Sequence, residues 1–296
     1  MQNSFILSCE STVDMPYAYI NDRGISVIFY GYTVDGVSYV DDMLRDPAAL
    51  PHFYEMLEAG KLPTTTQLNA FQYKDYFEEL LQKGDLLHIT LGTGMTRSYQ
   101  NALIAAEELR QQYPHRKILI VDSMCSSSGY GMLVDCAADM RDEGRTMEEI
   151  ESWLLGNRKL VHHQFFSTEL KHYRRSGRMS GATAMIATVL NICPIMRLDD
   201  TGKIIAYSKI RGKKNAVNVT VDTMEAHAQN GKNYNGKCFI CHSQCIADAN
   251  LLRSAILERF PNIKEIPIFD IGTSIASHCG PGTAAVFFFG DERTPE

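Results

Sequence analysis

The chain has 296 residues, 45% of them hydrophobic and 22% charged, with a formal net charge of −6. That length is comfortable for two domains and the composition is that of a globular protein with a sizeable core. The acidic balance excludes a global basic footprint for nucleic acid or an anionic membrane, and no apolar run approaches the ~20 residues that span a bilayer.

The N-terminus, "MQNSFILSCESTVD", lacks a basic region and does not read as a signal peptide. Eight scattered cysteines lack the spacing of a disulfide scaffold, so a reduced, cytoplasmic chain is expected. In chain order, "SFILS" (4–8), "ISVIFYGYTV" (25–34), "DLLHITL" (85–91) and "KILIVD" (117–122) read as strands. Between them, "NAFQYKDYFEELLQKG" predicts a helix with Phe71, Phe77, Leu80 and Leu81 inward. "SYQNALIAAEELRQQYP" predicts another, with Tyr99, Ala102, Leu103, Ala106 and Leu109 on one face and Pro114 as its stop. Such alternation predicts α/β layers around a largely parallel sheet.

The second half predicts a mixed α/β domain. Two apolar runs around Asp199-Asp200-Thr201-Gly202 (193–210) signal a hairpin. "KCFICH", "EIPIFDI" and "TAAVFFF" read as strands, and "ADANLLRSAILERF" as a helix with Leu251, Leu252, Ala255 and Ile256 on one side. The helix "TMEEIESWLLGNRKL" marks the expected division into domains 1–160 and 161–296.

Several strands run into loops rich in hydroxyls and glycine: "SCESTVDMP", "LGTGMTRSYQ" and "VDSMCSSSGYG". "LPTTTQLN" is a further loop, ahead of a helix. Open α/β sheets bind ligands at the carboxyl ends of their strands, and helix N-termini there offer free N–H groups to an anion. Four such loops together point to a small anionic or polar group. Near the end, His278 and Cys279 precede the turn Gly280-Pro281-Gly282 and an apolar strand. Basic residues cluster at Lys171, Arg174, Arg175 and Arg178, and at Lys209, Arg211, Lys213 and Lys214. They read as a solvated face, a docking surface or a phosphate-facing patch.

Two competing readings start from single motifs. "CFICH" (238–242), with Cys245 nearby, matches covalent haem attachment or a metal cluster, although the run also reads as a core strand. Ser11 or Ser123 would be the nucleophile of a stand-alone hydrolase, yet there is no G-x-S-x-G elbow, no H-E-x-x-H and no phosphate-binding P-loop. No metal and no cofactor is expected.

Taken in order, "STVDMP" (11–16), "PTTTQLN" (63–69), "LGTGMTRSYQNA" (91–102), "VDSMCSSSGYG" (121–131), "LKHYRRSGRMS" (170–180), "CPIMRLDDTGKI" (193–204) and "HCGPG" (278–282) resemble the DegV family of bacterial lipid-binding proteins. The resemblance implies two α/β domains with a fatty acid held between them. It also implies that the chain is the fatty-acid-binding subunit of a bacterial fatty acid kinase, without catalysis of its own. A separate ATP-dependent kinase subunit then phosphorylates the bound carboxylate for phospholipid synthesis. Thr65, Thr93 and His278 fall on the family's carboxylate-binding positions. Ser11, Thr66, Gly92, Gly94, Ser123, Ser127, Gly280 and Gly282 belong to the supporting loops. Arg178 falls on the glycine-arginine motif, and Arg174, Arg175 and Arg211 are further candidates for docking or for facing phosphate. Two departures stand out: Gly92-Thr93 replaces paired serines, and Thr96-Arg97 replaces serine-glycine, so that Arg97 brings a charge the family lacks there.

Overall fold

The structure, a computed structural model, describes residues 5–179 and 191–295. Ser4 of the first expected strand and Ser180 of the arginine-rich run lie outside the described residues. Four parallel strands, β1 (Phe5–Glu10), β2 (Ser26–Ile28), β6 (Asp85–Thr90) and β7 (Ile118–Asp122), form a sheet in the order β2-β1-β6-β7. Helices α1 (Tyr17–Asp22), α2 (Ala49–Glu58), α3 (Ala70–Leu81), α4 (Ser98–Gln112), α5 (Ser127–Asp142) and α6 (Met147–Asn157) belong to the same half. A small antiparallel sheet, β4 (Val37–Val40), β3 (Gly31–Val34) and β5 (Thr64–Thr66), stands beside it.

The second half builds a six-stranded sheet. Its strands are β8 (Val161–Ser167), β9 (Ile192–Leu198), β10 (Ile204–Arg211), β11 (Cys238–His242), β12 (Ile268–Asp270) and β13 (Thr283–Phe289). They lie in the order β10-β9-β8-β13-β11-β12, antiparallel except for β11–β12. Helices α7 (Lys171–Ser176), α8 (Lys213–His227), α9 (Ile246–Arg259) and α10 (Thr273–Cys279) complete it.

Side-chain alternation sorts these elements into layers. In β6, Leu86 faces α3 and α4, packing with Tyr73, Phe77, Leu80, Ala102 and Ala106. Leu87 and Ile89 face the other way, into a core shared with Tyr130, Leu133 and Val134 of α5. That same core takes Phe165, Phe239, Cys241, Ala285 and Phe287 from one face of the mixed sheet. Phe166, Ile195, Val286 and Phe288, one residue out of step, pack on α8 and α9 instead. Helix α5 therefore lies between two sheets, with eleven of its first twelve residues buried. Each fully buried Phe or Leu contributes roughly 1.5–3 kcal/mol, so this double-sided burial joins the halves firmly.

Several expectations need correction. The run 25–34 is two strands in different sheets, because Tyr30 leaves the ladder: its N–H donates to Ser11 Oγ (3.0 Å) and its carbonyl accepts from Asp41 N (2.9 Å). Phe71 is 70% exposed and Tyr73 takes its place in the core. Phe71 sits six residues before Phe77, about 240° around the helix, whereas Tyr73 sits one turn before it. Leu251 is 42% exposed, since Ala249, Leu252 and Ile256 set the inward stripe of α9. The loop 63–69 contains β5, paired with β3, and the run 265–271 forms strand only at Ile268–Asp270. No helix among the described residues is long and apolar enough to cross a membrane.

Candidate functional site

A cavity opens between the strand-end loops of the parallel sheet and the inner face of the mixed sheet. Strand register builds its floor: Ala285 of β13 pairs with Phe165 of β8 on one side and Cys241 of β11 on the other, and all three line the cavity. A small residue between two larger ones leaves a trough. Leu91, Met95, Leu198, Ile204, Ile271 and Ile275 supply apolar walls. The unfilled space, open mouth included, is about 990 Å³.

One end is polar. Thr65 of β5 and His278 in the last turn of α10 meet there, with Thr65 Oγ1 2.9 Å from His278 Nε2. Thr96, Gln67 and Arg178 line the same region. The Asn69 capping box sets the turn from β5 into α3, Asn69 and Gln72 each accepting the other's amide at 3.0 Å. Burial lowers the His278 pKa to about 4, with the positive charges of Arg178 and Arg175 adding to the effect. The imidazole is therefore neutral at neutral pH, and Nε2 either donates or accepts according to tautomer.

This makes a direct prediction for the ligand-free chain. NMR titration of the His278 ring should give a midpoint near 4. Arg178→Ala should raise it, yet leave it below the ordinary ~6.5, because burial is the larger cause. The sign for folding follows: the unfolded chain takes the proton first, so stability from neutral His278 is complete above ~6.5 and lost as pH falls toward 4. Asp41, raised by burial to about 6, works oppositely in part of that window. The ring's own signal is thus the readout, and a midpoint that Arg178→Ala leaves unmoved contradicts the electrostatic account.

Distant residues position this end. The amide of Gly272 donates to Asp14 Oδ1 (2.9 Å) and that of Ser274 to Asp41 Oδ2 (3.3 Å), so two buried carboxylates hold the start of α10. Burial raises the Asp14 pKa well above the usual range. Beyond α10, Gly280 and Gly282 adopt φ of +67° and +86°. A Cβ on Gly280 would lie 2.3 Å from the His172 ring, and one on Gly282 2.2 Å from Thr168 Oγ1. The Gly-Pro-Gly turn thus seats α7 against α10, and Arg175 Nη2 reaches the Ser277 carbonyl (3.1 Å).

The other expected site residues are dispersed. Thr93 does not line the cavity; its hydroxyl and amide both donate to Asp122, at 2.7 and 3.1 Å. Gly92 and Gly94 are packing positions, closed on by the Cys125 backbone and by Gly202 of the β9–β10 turn. Ser127 lines the cavity and donates to Asp14, while Thr66 is exposed on β5. Arg174 is exposed on α7. Arg211 lies at the far end of β10 from Ile204 of the cavity wall, seven residues or about 23 Å away. Sequence reasoning had not singled out Thr96, Tyr30, Asp14 or Asp41 as site residues. Thr96 Oγ1 lies 3.1 Å from Ser98 Oγ, which also meets the Tyr30 hydroxyl.

The rival motifs find no working geometry. Cys238 and Cys241, three apart on a strand, face opposite cores and share no side on which to hold haem or a metal. Ser123 caps its own turn, accepting from Cys125 N (3.1 Å), and Ser11 is engaged with Asp41 (3.4 Å) and Tyr30. A buried serine–histidine–glutamate line does occur: Ser8 Oγ is 2.5 Å from His88 Nδ1, and Glu10 Oε1 is 3.8 Å from His88 Nε2. All three side chains are sealed and none borders the cavity. Among the described residues, His162, His227 and Asp291 bring three donor atoms close. His162 Nε2 and His227 Nδ1 each lie 3.0 Å from Asp291 Oδ1, and the group lies outside the cavity.

Fold and site together define a class of α/β protein with two main sheets, a shared helix between them and an apolar cavity that ends at a hydroxyl–imidazole pair. The family model described as "uncharacterised protein, DegV family" matches residues 6–291, and the chain belongs to the DegV family. It is 34% identical over 293 residues to a DegV domain-containing protein of Clostridium perfringens, covering 98% of this chain and 99% of the relative. A fatty-acid-binding DegV family protein from Thermus thermophilus superposes with a TM-score of 0.85 at 25% identity, covering 97% of this chain and 99% of that one. The fatty acid kinase B3 protein of Streptococcus pneumoniae, loaded with linoleic acid, shares the fold with a TM-score of 0.83 at 18% identity, covering 97% and 100%.

Proposed function

We propose that this chain binds one long-chain fatty acid and presents its carboxylate to a separate ATP-dependent kinase subunit, with no catalysis of its own. The observation that carries this reading is the apolar trough ending in the neutral Thr65–His278 pair beside Arg178. The fatty-acid binding of the Thermus relative and the kinase name of the Streptococcus protein support it. The eight free thiols suit a reducing cytoplasm, and the segregation of the parallel sheet before residue 122 and the mixed sheet after residue 161 supports a two-domain division near 160.

Without ligand, Thr65 and His278 satisfy each other. A carboxylate entering the polar end takes a hydrogen bond from the Thr65 hydroxyl and another from the Nε2–H tautomer of His278, which meets the cost of desolvating its oxygens. Thr93, bound to Asp122, acts in this reading as a positioning residue for the loop that carries Thr96. The tail supplies roughly 0.8 kcal/mol per buried CH₂, on the order of 10 kcal/mol for a long chain before the cost of association. The tail thus dominates affinity while the head group fixes orientation. Protein purified from a bacterial host should release close to one equivalent of fatty acid on extraction, identified by mass spectrometry. A chain that stays lipid-free when offered saturated and unsaturated fatty acids overturns the reading.

A further inference from the structure

Away from the cavity, His162 of β8, His227 at the end of α8 and Asp291 just after β13 bring two imidazole nitrogens and a carboxylate within 4.8 Å of one another. The fatty-acid reading gives this group no task. The backbone fixes all three positions. His162 pairs with Phe288 across β8 and β13, and its ring stacks on the Phe288 ring with centroids 5.1 Å apart. The Asp291 amide donates to the His227 carbonyl (3.0 Å), and the Gly290 amide to the Leu160 carbonyl (2.8 Å). Gly290 permits this close approach, since a Cβ there would lie 2.5 Å from the His227 carbonyl oxygen and 2.7 Å from the His162 ring. His162 is buried, whereas His227 is half-buried and Asp291 exposed, so the group is open to solvent on one side.

We propose that His162, His227 and Asp291 bind a divalent transition ion of the zinc class, with water completing its shell, and that the ion fastens the segment after β13 to the mixed sheet. Two imidazole nitrogens with a carboxylate oxygen suit zinc, whereas magnesium and calcium take oxygen ligands. A tetrahedral ion with bonds of ~2.0–2.1 Å holds its ligand atoms about 3.3 Å apart. His162 Nε2 and His227 Nδ1 lie 3.0 Å from Asp291 Oδ1, so an ion needs only a small outward shift. On binding, His162 Nε2 gives up its contact with the Asp291 carbonyl (3.0 Å), and the neutral ring keeps its proton on Nδ1. The same segment is tied a second time two residues on. There the buried Arg293 donates to the Met124 carbonyl (2.8 Å) in the loop between β7 and α5.

The test is calorimetric titration of the full, reduced chain with zinc, and with magnesium as the control. His227→Ala and Asp291→Asn should each weaken zinc binding by more than the ~10-fold that losing a supporting partner costs. Both side chains reach solvent, so both variants should fold. His52→Ala, which removes a histidine beside Glu55 on the exposed side of α2, should leave binding unchanged. Cobalt(II) should give visible bands without the near-ultraviolet thiolate band that ligation by a cysteine would add. Zinc should also slow hydrogen exchange of the Arg293 amide, bonded to the Lys159 carbonyl (3.1 Å), at least about fivefold in the native chain and not in Asp291→Asn. A chain that binds no zinc, or binding that survives both variants, overturns the site, and the two imidazoles then serve only as hydrogen-bond partners of Asp291. Magnesium binding as tightly as zinc overturns the nitrogen ligation. Zinc that binds here without slowing the Arg293 amide overturns the fastening.

Discussion

Ala285→Phe should abolish tight binding of long-chain fatty acids while leaving the head-group end intact. Ala285 lies in the middle of the cavity floor, between Phe165 and Cys241 in register, and is 4% exposed. A phenyl ring there fills the trough between its neighbours. If it displaces about four methylenes at roughly 0.8 kcal/mol each, affinity falls by about 3 kcal/mol, on the order of a hundredfold. The loss should depend on chain length: an acid short enough to stop before Ala285 keeps its affinity, and one that reaches past it loses most. Overpacking a floor strand also costs stability, about 1–3 kcal/mol, so Ala285→Val serves as a milder companion with a proportionately smaller shift in preferred chain length. Calorimetric titration with a series of acids checks both. Unchanged affinity for the longest acid in a folded Ala285→Phe protein removes the trough as the tail site.

How much of this was legible in the sequence depends on where each residue finds its partners. The hairpin around Asp199-Asp200-Thr201-Gly202 and strand β13 were plain, because turn chemistry and an unbroken apolar run are local signals. Strand β8 was not, although all seven of its residues are buried, since His162, His163 and Gln164 interrupt the apolar pattern. Their partners come from elsewhere: Asp291 for His162, the Ser126 amide for His163 and the Tyr207 hydroxyl for Gln164. The hairpin β3–β4, turning at Asp35-Gly36, carried a good local signal that the reading of 25–34 as one strand obscured.

The site shows the same division. Thr65 and His278 lie 213 residues apart, and it was the resemblance of their loops to the DegV family that suggested both. Thr93 and Thr96 share a loop and a chemistry. Only the fold tells them apart: Asp122 at the end of β7 takes the Thr93 hydroxyl, and Thr96 is left at the mouth. The arginines divide likewise, since α7 packs against α10 and keeps Arg175 and Arg178 near His278, while β10 carries Arg211 away. Asp14 and Asp41 escaped notice because a carboxylate that holds a helix start looks, in sequence, like any loop aspartate.

The kinase reading makes its own demand on that arginine helix. A subunit that phosphorylates the bound carboxylate must reach the polar end, and α7 flanks it with Arg174 and Arg175, followed by Arg178. Arg174 is exposed, and among the described residues Arg175 is tied by one bond to the Ser277 carbonyl. Exposed ion pairs contribute about 0–1 kcal/mol each, and reversing a charge replaces attraction with repulsion of similar size. Arg174→Glu with Arg175→Glu should therefore slow phosphorylation of bound fatty acid by a cognate kinase subunit at least about tenfold at low salt, through weaker docking. Lipid binding should survive, because the tail supplies most of the affinity. Arg178→Ala should also reduce transfer. Arg211→Glu is the internal control: it makes the same charge change as either α7 substitution alone, but about 23 Å from Ile204 of the cavity wall, and should leave transfer unchanged. Raising the salt should slow the native reaction toward the variant rate, since exposed charges are screened within about 10 Å at 0.1 M. If Arg211→Glu slows transfer as much as the α7 pair, the effect belongs to net charge and not to a docking face. If the α7 variants phosphorylate normally at every salt concentration, these arginines are an ordinary solvated surface and the kinase approaches from another side.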